Sequence, residues 1–238
     1  MTDQGIARRP RWLSVLLLVL CAALIVVFVL LGNWQMRRLA WKQDLIAAVE
    51  TRAYGVPVTP PVTFDPEQHT YLRVALQGSY TDDAPVLVKA VTELGPGYWV
   101  MSPMQGSAGI VWVNRGFVPP GQKNPALWSA APETISGLLR PTEPDGTLLE
   151  RNDPGLDRWV SRDTAALSNA LQLGLTMPYF IDADHTGAPE AWPRGGLTIV
   201  RFRNTHLAYA LTWYAMAALF AIALGGILWQ AHRVGRGR

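Results

Sequence analysis

"VRFRNTHLAYALTWYAMAALF", Val200 to Phe220, opens on arginines and ends as an apolar run, with His206 standing where one becomes the other. The run continues to Trp229, and its polar interruptions are Thr212 and two tyrosines. A helix needs about 20 such residues to cross a bilayer, so 206–229 reads as a transmembrane span. An imidazole at that boundary is costly unless water, a protein partner or a metal accepts it. The stretch therefore sets the architecture and also marks His206 as a candidate functional residue.

A second apolar run lies at the other end of the chain. From Trp12 to Leu31 only Ser14 is polar. The run exceeds the ~7–15 residues of a secretory signal core, and the bulky "LGNWQMRR" follows where small residues would be cleaved, so it reads as an uncleaved anchor. The spans 12–31 and 206–229 then bracket residues 32–205, leaving tails 1–11 and 230–238. Two such anchors account for a hydrophobic content of 49% in 238 residues. Trp34, Trp41, Leu45 and Val49 recur at helical spacing, which predicts a helical extension over 32–50. Pro57, Pro60 and Pro61 end it in an extended connector.

The middle of the chain has strand character. "YLRVALQGSY", "APVLVKAV", "GYWVMSPMQ", "GIVWVNRGFV", "ETISGLLRP", "MPYFIDAD" and "GLTIVRF" are rich in β-branched and aromatic residues and are separated by Gly, Pro and Asp. "SRDTAALSNALQLG" predicts one internal helix, with Ser161 or Asp163 as cap and Gly174 as stop. The fold class is an α+β membrane protein, in which two transmembrane helices flank one antiparallel β-rich extramembrane domain, a sheet or partly closed barrel.

Charge sets orientation and excludes one partner class. The net charge is +3. Long segments translocate largely regardless of charge, so only the tails vote. Arg233, Arg236 and Arg238 stand without an acid, and Arg8, Arg9 and Arg11 outnumber Asp3, which predicts cytoplasmic termini and a domain on the far side. No basic stripe interleaved with aromatics points to nucleic acid.

Enzyme signatures are missing as well. Cys21 is the one cysteine and lies in the first span, which removes thiol chemistry from the domain. The phosphate loop, H-E-x-x-H and G-x-S-x-G motifs do not occur, so the chain does not read as an enzyme. The acid pairs Asp82/Asp83 and Asp182/Asp184 read as solvated turns, and His69, His185 and His232 as surface residues. Met101 and Met104 are soft donors that suit Cu(I). Their odd separation on a strand sends them to opposite faces, as for ordinary core residues.

Two places carry candidate chemistry. From His206, residues Tyr209, Ala210 and Trp213 share one helix face, pairing a nitrogen ligand with aromatic walls. That pattern suits haem iron, which commonly takes an axial imidazole. It also suits an interfacial belt of amphipathic rings. In "VNRGFVP", Gly116 suits a turn with positive φ. Arg115 there pairs either with a propionate or partner carboxylate, or with an acid of its own domain.

"GNWQMRRLAWKQDLI", "VWVNRGFVP" and "PRGGLTIVRFRNTHLAYALTWYAMA", in that order along the chain, resemble the Surfeit-locus cytochrome oxidase assembly factor family. The resemblance implies a non-enzymatic, two-span protein of the cell inner membrane that assists haem-copper (cytochrome c) oxidase assembly when haem a enters the catalytic subunit. Its alternative is a membrane-anchored scaffold that stabilises an oxidase intermediate without binding haem. His206 matches the histidine with which bacterial members are thought to bind haem a, as axial ligand. On that model Tyr209 or Trp213 flanks the ring, Trp34 closes the other side, and Arg201 or Arg203 meets the propionates. The implied partners are haem a synthase, the oxidase catalytic subunit and membrane lipid.

Overall fold

The computed structural model describes residues 11–107, 109–144, 146, 150–198, 200, 202 and 204–236. Contacts divide the chain into two compact units. One comprises residues up to Ile46 together with those from Phe202 onward, and the other comprises Ala47–Arg201.

The first unit is built on α4 (His206–Arg236) and on the part of α1 (Arg11–Ala53) up to Ile46. Both are long and apolar enough to cross a membrane. At ~1.5 Å per residue α1 is about 64 Å long, roughly twice the apolar thickness of a bilayer. It is helical beyond residue 31 because no Gly or Pro punctuates residues 33–53, as the spacing of Trp34 to Val49 predicts. Phe28 stacks on Trp213 with ring centroids 5.8 Å apart and meets Phe220 edge-on at 5.5 Å. Ala210 and Ala217 are buried, and small residues at such a seam let helix backbones approach closely. At Gly32 even a single Cβ would meet the Tyr214 ring at 2.5 Å.

The second unit is a six-stranded sheet. A one-turn helix, α2 (Pro66–His69), capped by Asp65, precedes β1 (Arg73–Tyr80). Then come β2 (Val86–Thr92), β3 (Gly95–Gly106), β4 (Gly109–Val118) and β5 (Thr134–Pro141), with helix α3 (Thr164–Ala170) before β6 (Thr176–Ala183). The strand order is β1-β5-β6-β4-β3-β2, and β1 also pairs with β3. That extra pairing closes five strands into a barrel and leaves β2 outside it. Closure depends on the length of β3, whose Gly95–Met101 part pairs with β2 and whose Met104–Gly106 part pairs with β1. Every pairing is antiparallel except β4 with β6, which is parallel. The long crossover through β5 and α3 returns the chain in the direction of β4, as a parallel neighbour requires.

Period-2 alternation sorts side chains onto two faces. Val74, Leu76, Met104, Val111, Val113, Leu139, Tyr179 and Ile181 form the larger core cluster. Val86, Val88, Met101, Trp112, Leu167 and Phe180 form a second cluster with α3 and Trp159. Met101 and Met104 thus lie in different clusters. Asp163 caps α3 by accepting the Ala165 and Ala166 N–H groups. Trp112 Nε1 is anchored on Ser168 Oγ at 2.8 Å.

Two expectations need correction. "GLTIVRF" holds no strand among its described residues. Gly196 has φ of +70°, and its N–H donates to the Ala183 carbonyl at 2.9 Å, so the chain turns back onto the end of β6. Asp182 is not a solvated turn residue but a buried strand residue. It accepts hydrogen bonds from Asn114 at 2.8 Å, Arg162 at 3.0 Å, Arg140 at 3.3 Å and Thr198 at 2.7 Å. Arg162 also forks onto Glu143 at 3.0 and 2.5 Å. Burial pushes the Arg162 guanidinium down, but Asp182 and Glu143 outweigh it and hold the group above its ordinary value. Asp184 pairs with Arg73.

Candidate functional site

In the first unit, His206 begins α4. Asn204 caps that end, its Oδ1 accepting the His206 N–H at 3.3 Å, because the first turn of a helix leaves donors without intrahelical partners. The cap holds the imidazole at the start of the apolar segment.

His206 Nδ1 lies 2.7 Å from Gln35 Oε1. An amide oxygen can only accept, so this contact places the proton on Nδ1. In the neutral ring Nε2 then keeps its lone pair. Among the described residues Nε2 has no hydrogen-bond partner. Gln35 is 9% exposed, so its amide is committed to the helix seam rather than to solvent. One α4 turn beyond Ala210, Tyr214 Oη donates to Asn33 Oδ1 at 2.7 Å. Polar groups on α1 and α4 therefore pair at two levels of one seam.

The aromatic residues singled out with His206 divide between two environments. Trp213 is half-buried against Phe28, and its Nε1–H is buried without a hydrogen-bond partner among the described residues. Tyr209 is 54% exposed and Trp34 48% exposed. Gln35, adjacent to Trp34, reaches His206, a contact the ring-centred sequence reading missed. Two uncharged polar residues, Asn33 and Gln35, just beyond an apolar run are the signal that could have found it, since such groups need partners. Arg201 and Arg203 lie outside the described residues.

The donor set fits haem in three respects. One ring nitrogen is oriented and unshared among the described residues, a third aromatic side chain, Trp213, packs on Phe28, and two aromatic side chains, Tyr209 and Trp34, remain accessible. Metal-bound histidines almost always donate their other N–H to a fixed partner, as His206 does to Gln35.

Among the described residues of the second unit, Arg115 does not find an acid. Its guanidinium lies 5.5 Å from the Tyr80 ring centroid and 5.8 Å from that of Trp128, and Nη2 donates to the Ser129 carbonyl at 2.9 Å. No carboxylate among the described residues pairs with it. Burial pushes the guanidinium below its ordinary value. The same surroundings push the Tyr80 phenol up to about 12, burial outweighing the opposing pull of Arg115. Gly116 lies within β4 rather than in a turn, but its φ of +128° is positive as expected, and a Cβ there would meet the Arg194 carbonyl carbon at 2.2 Å.

A family model described as "SURF1 family" matches residues 22–218. Among curated relatives, Surfeit locus protein 1 of Rattus norvegicus is 32% identical over 212 residues, covering 79% of this chain and 68% of that protein. Its Homo sapiens counterpart is 31% identical, with 79% and 69% covered. A SURF1-like protein of Rickettsia bellii is 25% identical over 207 residues, with 83% and 84% covered.

Proposed function

The chain belongs to the SURF1 family, and from that membership we propose that it is a non-enzymatic assembly factor for haem-copper oxidase that binds haem a and assists its insertion into the catalytic subunit. The observation that carries the haem reading is the oriented His206, with Nδ1–H given to Gln35 and Nε2 unshared. When bound, the group would supply an iron for the His206 imidazole to hold and an apolar ring system for the neighbouring aromatic side chains to cover.

The remaining work falls to this chain's own residues. Gln35 fixes the tautomer and orientation of His206, and Tyr209 and Trp34 offer ring faces. Trp213 holds an unused N–H donor. Arg201 and Arg203, five and three residues before His206, are assigned to the propionates from their place in the sequence. A carrier must also release its cargo, so a single side-chain ligand suits the task better than a closed ligand set. Haem a synthase is the donor and the oxidase catalytic subunit the acceptor in this reading. Both termini are assigned to the cytoplasm and the barrel unit to the periplasmic side of the inner membrane, from the arginines of the two tails.

The test is to purify the full chain from cells that make haem a and to compare its visible spectrum with that of His206→Ala. Wild-type protein is expected to carry the pigment and the variant to lose most of it. Equal haem content in both would remove His206 from the site. Colourless wild-type protein that still supports oxidase assembly would leave the scaffold reading.

A further inference from the structure

Arg115 is held in a way that its own domain does not explain. Its side chain is half-buried between two aromatic rings, it spends one donor on a backbone carbonyl, and no described carboxylate neutralises it. Arg140 and Arg162 of the same unit are treated differently, since both share Asp182 and Glu143. Asp184 lines the same cleft as Arg115, but it is committed to Arg73. Burying a charge without a counter-charge is costly, and the usual remedies are pairing or neutralisation. A guanidinium cannot be deprotonated at physiological pH, so pairing is what remains.

The cleft has a definite size and lining. Tyr80, Arg115, Ser129, Ser136, Asp184 and Thr186 contribute to its wall, and the partly open space between them is about 20 Å³. That is roughly room for one water. Because the cleft opens to solvent, a carboxylate head reaches Arg115 from its mouth, whereas a planar macrocycle or a nucleotide is too large to enter. The wall is also fixed in place: Trp128 Nε1 donates to the Gln122 carbonyl at 2.7 Å, and Gly116 lets β4 bend beside the Arg194 backbone.

We propose that this cleft receives a carboxylate side chain, Asp or Glu, presented by a protein partner of the barrel unit. A planar guanidinium matches a carboxylate through two parallel N–H···O bonds, and four hydroxyl-bearing residues, Tyr80, Ser129, Ser136 and Thr186, line the wall. Arginine flanked by tyrosine and tryptophan is also the composition that dominates binding energy at protein interfaces. The inference needs only the second unit, so it stands or falls independently of haem binding at His206.

The test uses the full-length protein in detergent and follows by ¹⁵N NMR the Arg115 Nε–H resonance and, in wild type and variant alike, the neighbouring Trp128 Nε1–H resonance. The probes are acetate, a capped tripeptide with central Glu, its Gln counterpart and inorganic phosphate. The Glu peptide and acetate are expected to shift these resonances saturably, and the Gln peptide is not. Arg115→Lys, which keeps the charge but loses the fork, is expected to bind the Glu peptide about tenfold more weakly. Absence of a saturable shift with either carboxylate in the wild-type protein overturns the proposal without reference to any variant. Tighter binding of phosphate than of acetate, or undiminished Glu-peptide binding to Arg115→Lys, overturns it too.

Discussion

An amide oxygen accepts and never donates, so the 2.7 Å contact of Gln35 with His206 is informative beyond its own energy, because it selects which ring nitrogen is left over. Free imidazole in water exchanges between two tautomers, and a ligand histidine must present the right one. Outer partners of metal ligands typically cost 10–100-fold in affinity when lost. Gln35→Leu should therefore weaken haem binding by about that factor, while Gln35→Glu, which still offers an acceptor, should retain most of it. The tautomer is readable without haem: imidazole ¹⁵N shifts of the apo protein at pH 8 should report Nδ1–H in wild type and Gln35→Glu, and a mixture in Gln35→Leu. An unchanged tautomer in Gln35→Leu would reduce Gln35 to a packing residue. Half of this contact was legible in the sequence. His206 stands out because an imidazole at a lipid boundary demands a reason. Gln35 does not, because its partner lies 171 residues away and nothing local marks the pairing.

The α1–α4 seam holds that residue pair in register. Ala210, one turn after His206, is fully buried, and Tyr214 fills the space over Gly32. Adding bulk where small residues permit close approach typically costs about 1–3 kcal/mol. Ala210→Leu should push the helices apart next to His206, lowering the thermal midpoint of the detergent-solubilised protein and loosening the Gln35 contact. Ala210→Ser should be tolerated on both counts. The same imidazole shifts check this, and a native Nδ1–H signal in Ala210→Leu would show that the contact does not depend on seam spacing. Elements were the most legible level of the chain. β4 matches "GIVWVNRGFV" residue for residue because apolar alternation bounded by glycine and proline is a local signal. "GLTIVRF" misled for the converse reason. Its β-branched composition is suited to a strand, but Gly195 and Gly196 turn the chain onto β6, a tertiary choice. Asp182 misled likewise, since its partners Asn114, Arg140 and Arg162 come from three separated segments.

Across the whole molecule, the barrel unit is closed by a pairing that composition could not reveal. β3 changes neighbour from β2 to β1 part-way along its length, near Pro103 and the irregularity between Trp99 and Met101. Closure buries two phenols of this unit that an open sheet would leave wetter. Tyr179 is fully buried, with Oη donating to the Pro61 carbonyl at 2.8 Å, and burial pushes its phenol up to about 12. Tyr80 is raised to the same region. An ordinary phenol loses its proton near 10. Above that pH the unfolded chain ionises while the folded unit resists, so the unfolded state binds fewer protons and folding stability declines as pH rises. The contribution of these tyrosines is fully present below pH 10 and is lost progressively between about 10 and 12. Near-UV circular dichroism of the solubilised protein during denaturant titration should show the barrel unit weakening over that window. The double variant Tyr80→Phe/Tyr179→Phe should be less stable at pH 8, for want of the Tyr179 hydrogen bond, yet decline less steeply through the alkaline range. Parallel alkaline slopes in the two proteins would mean that the phenols are not shielded as barrel closure requires.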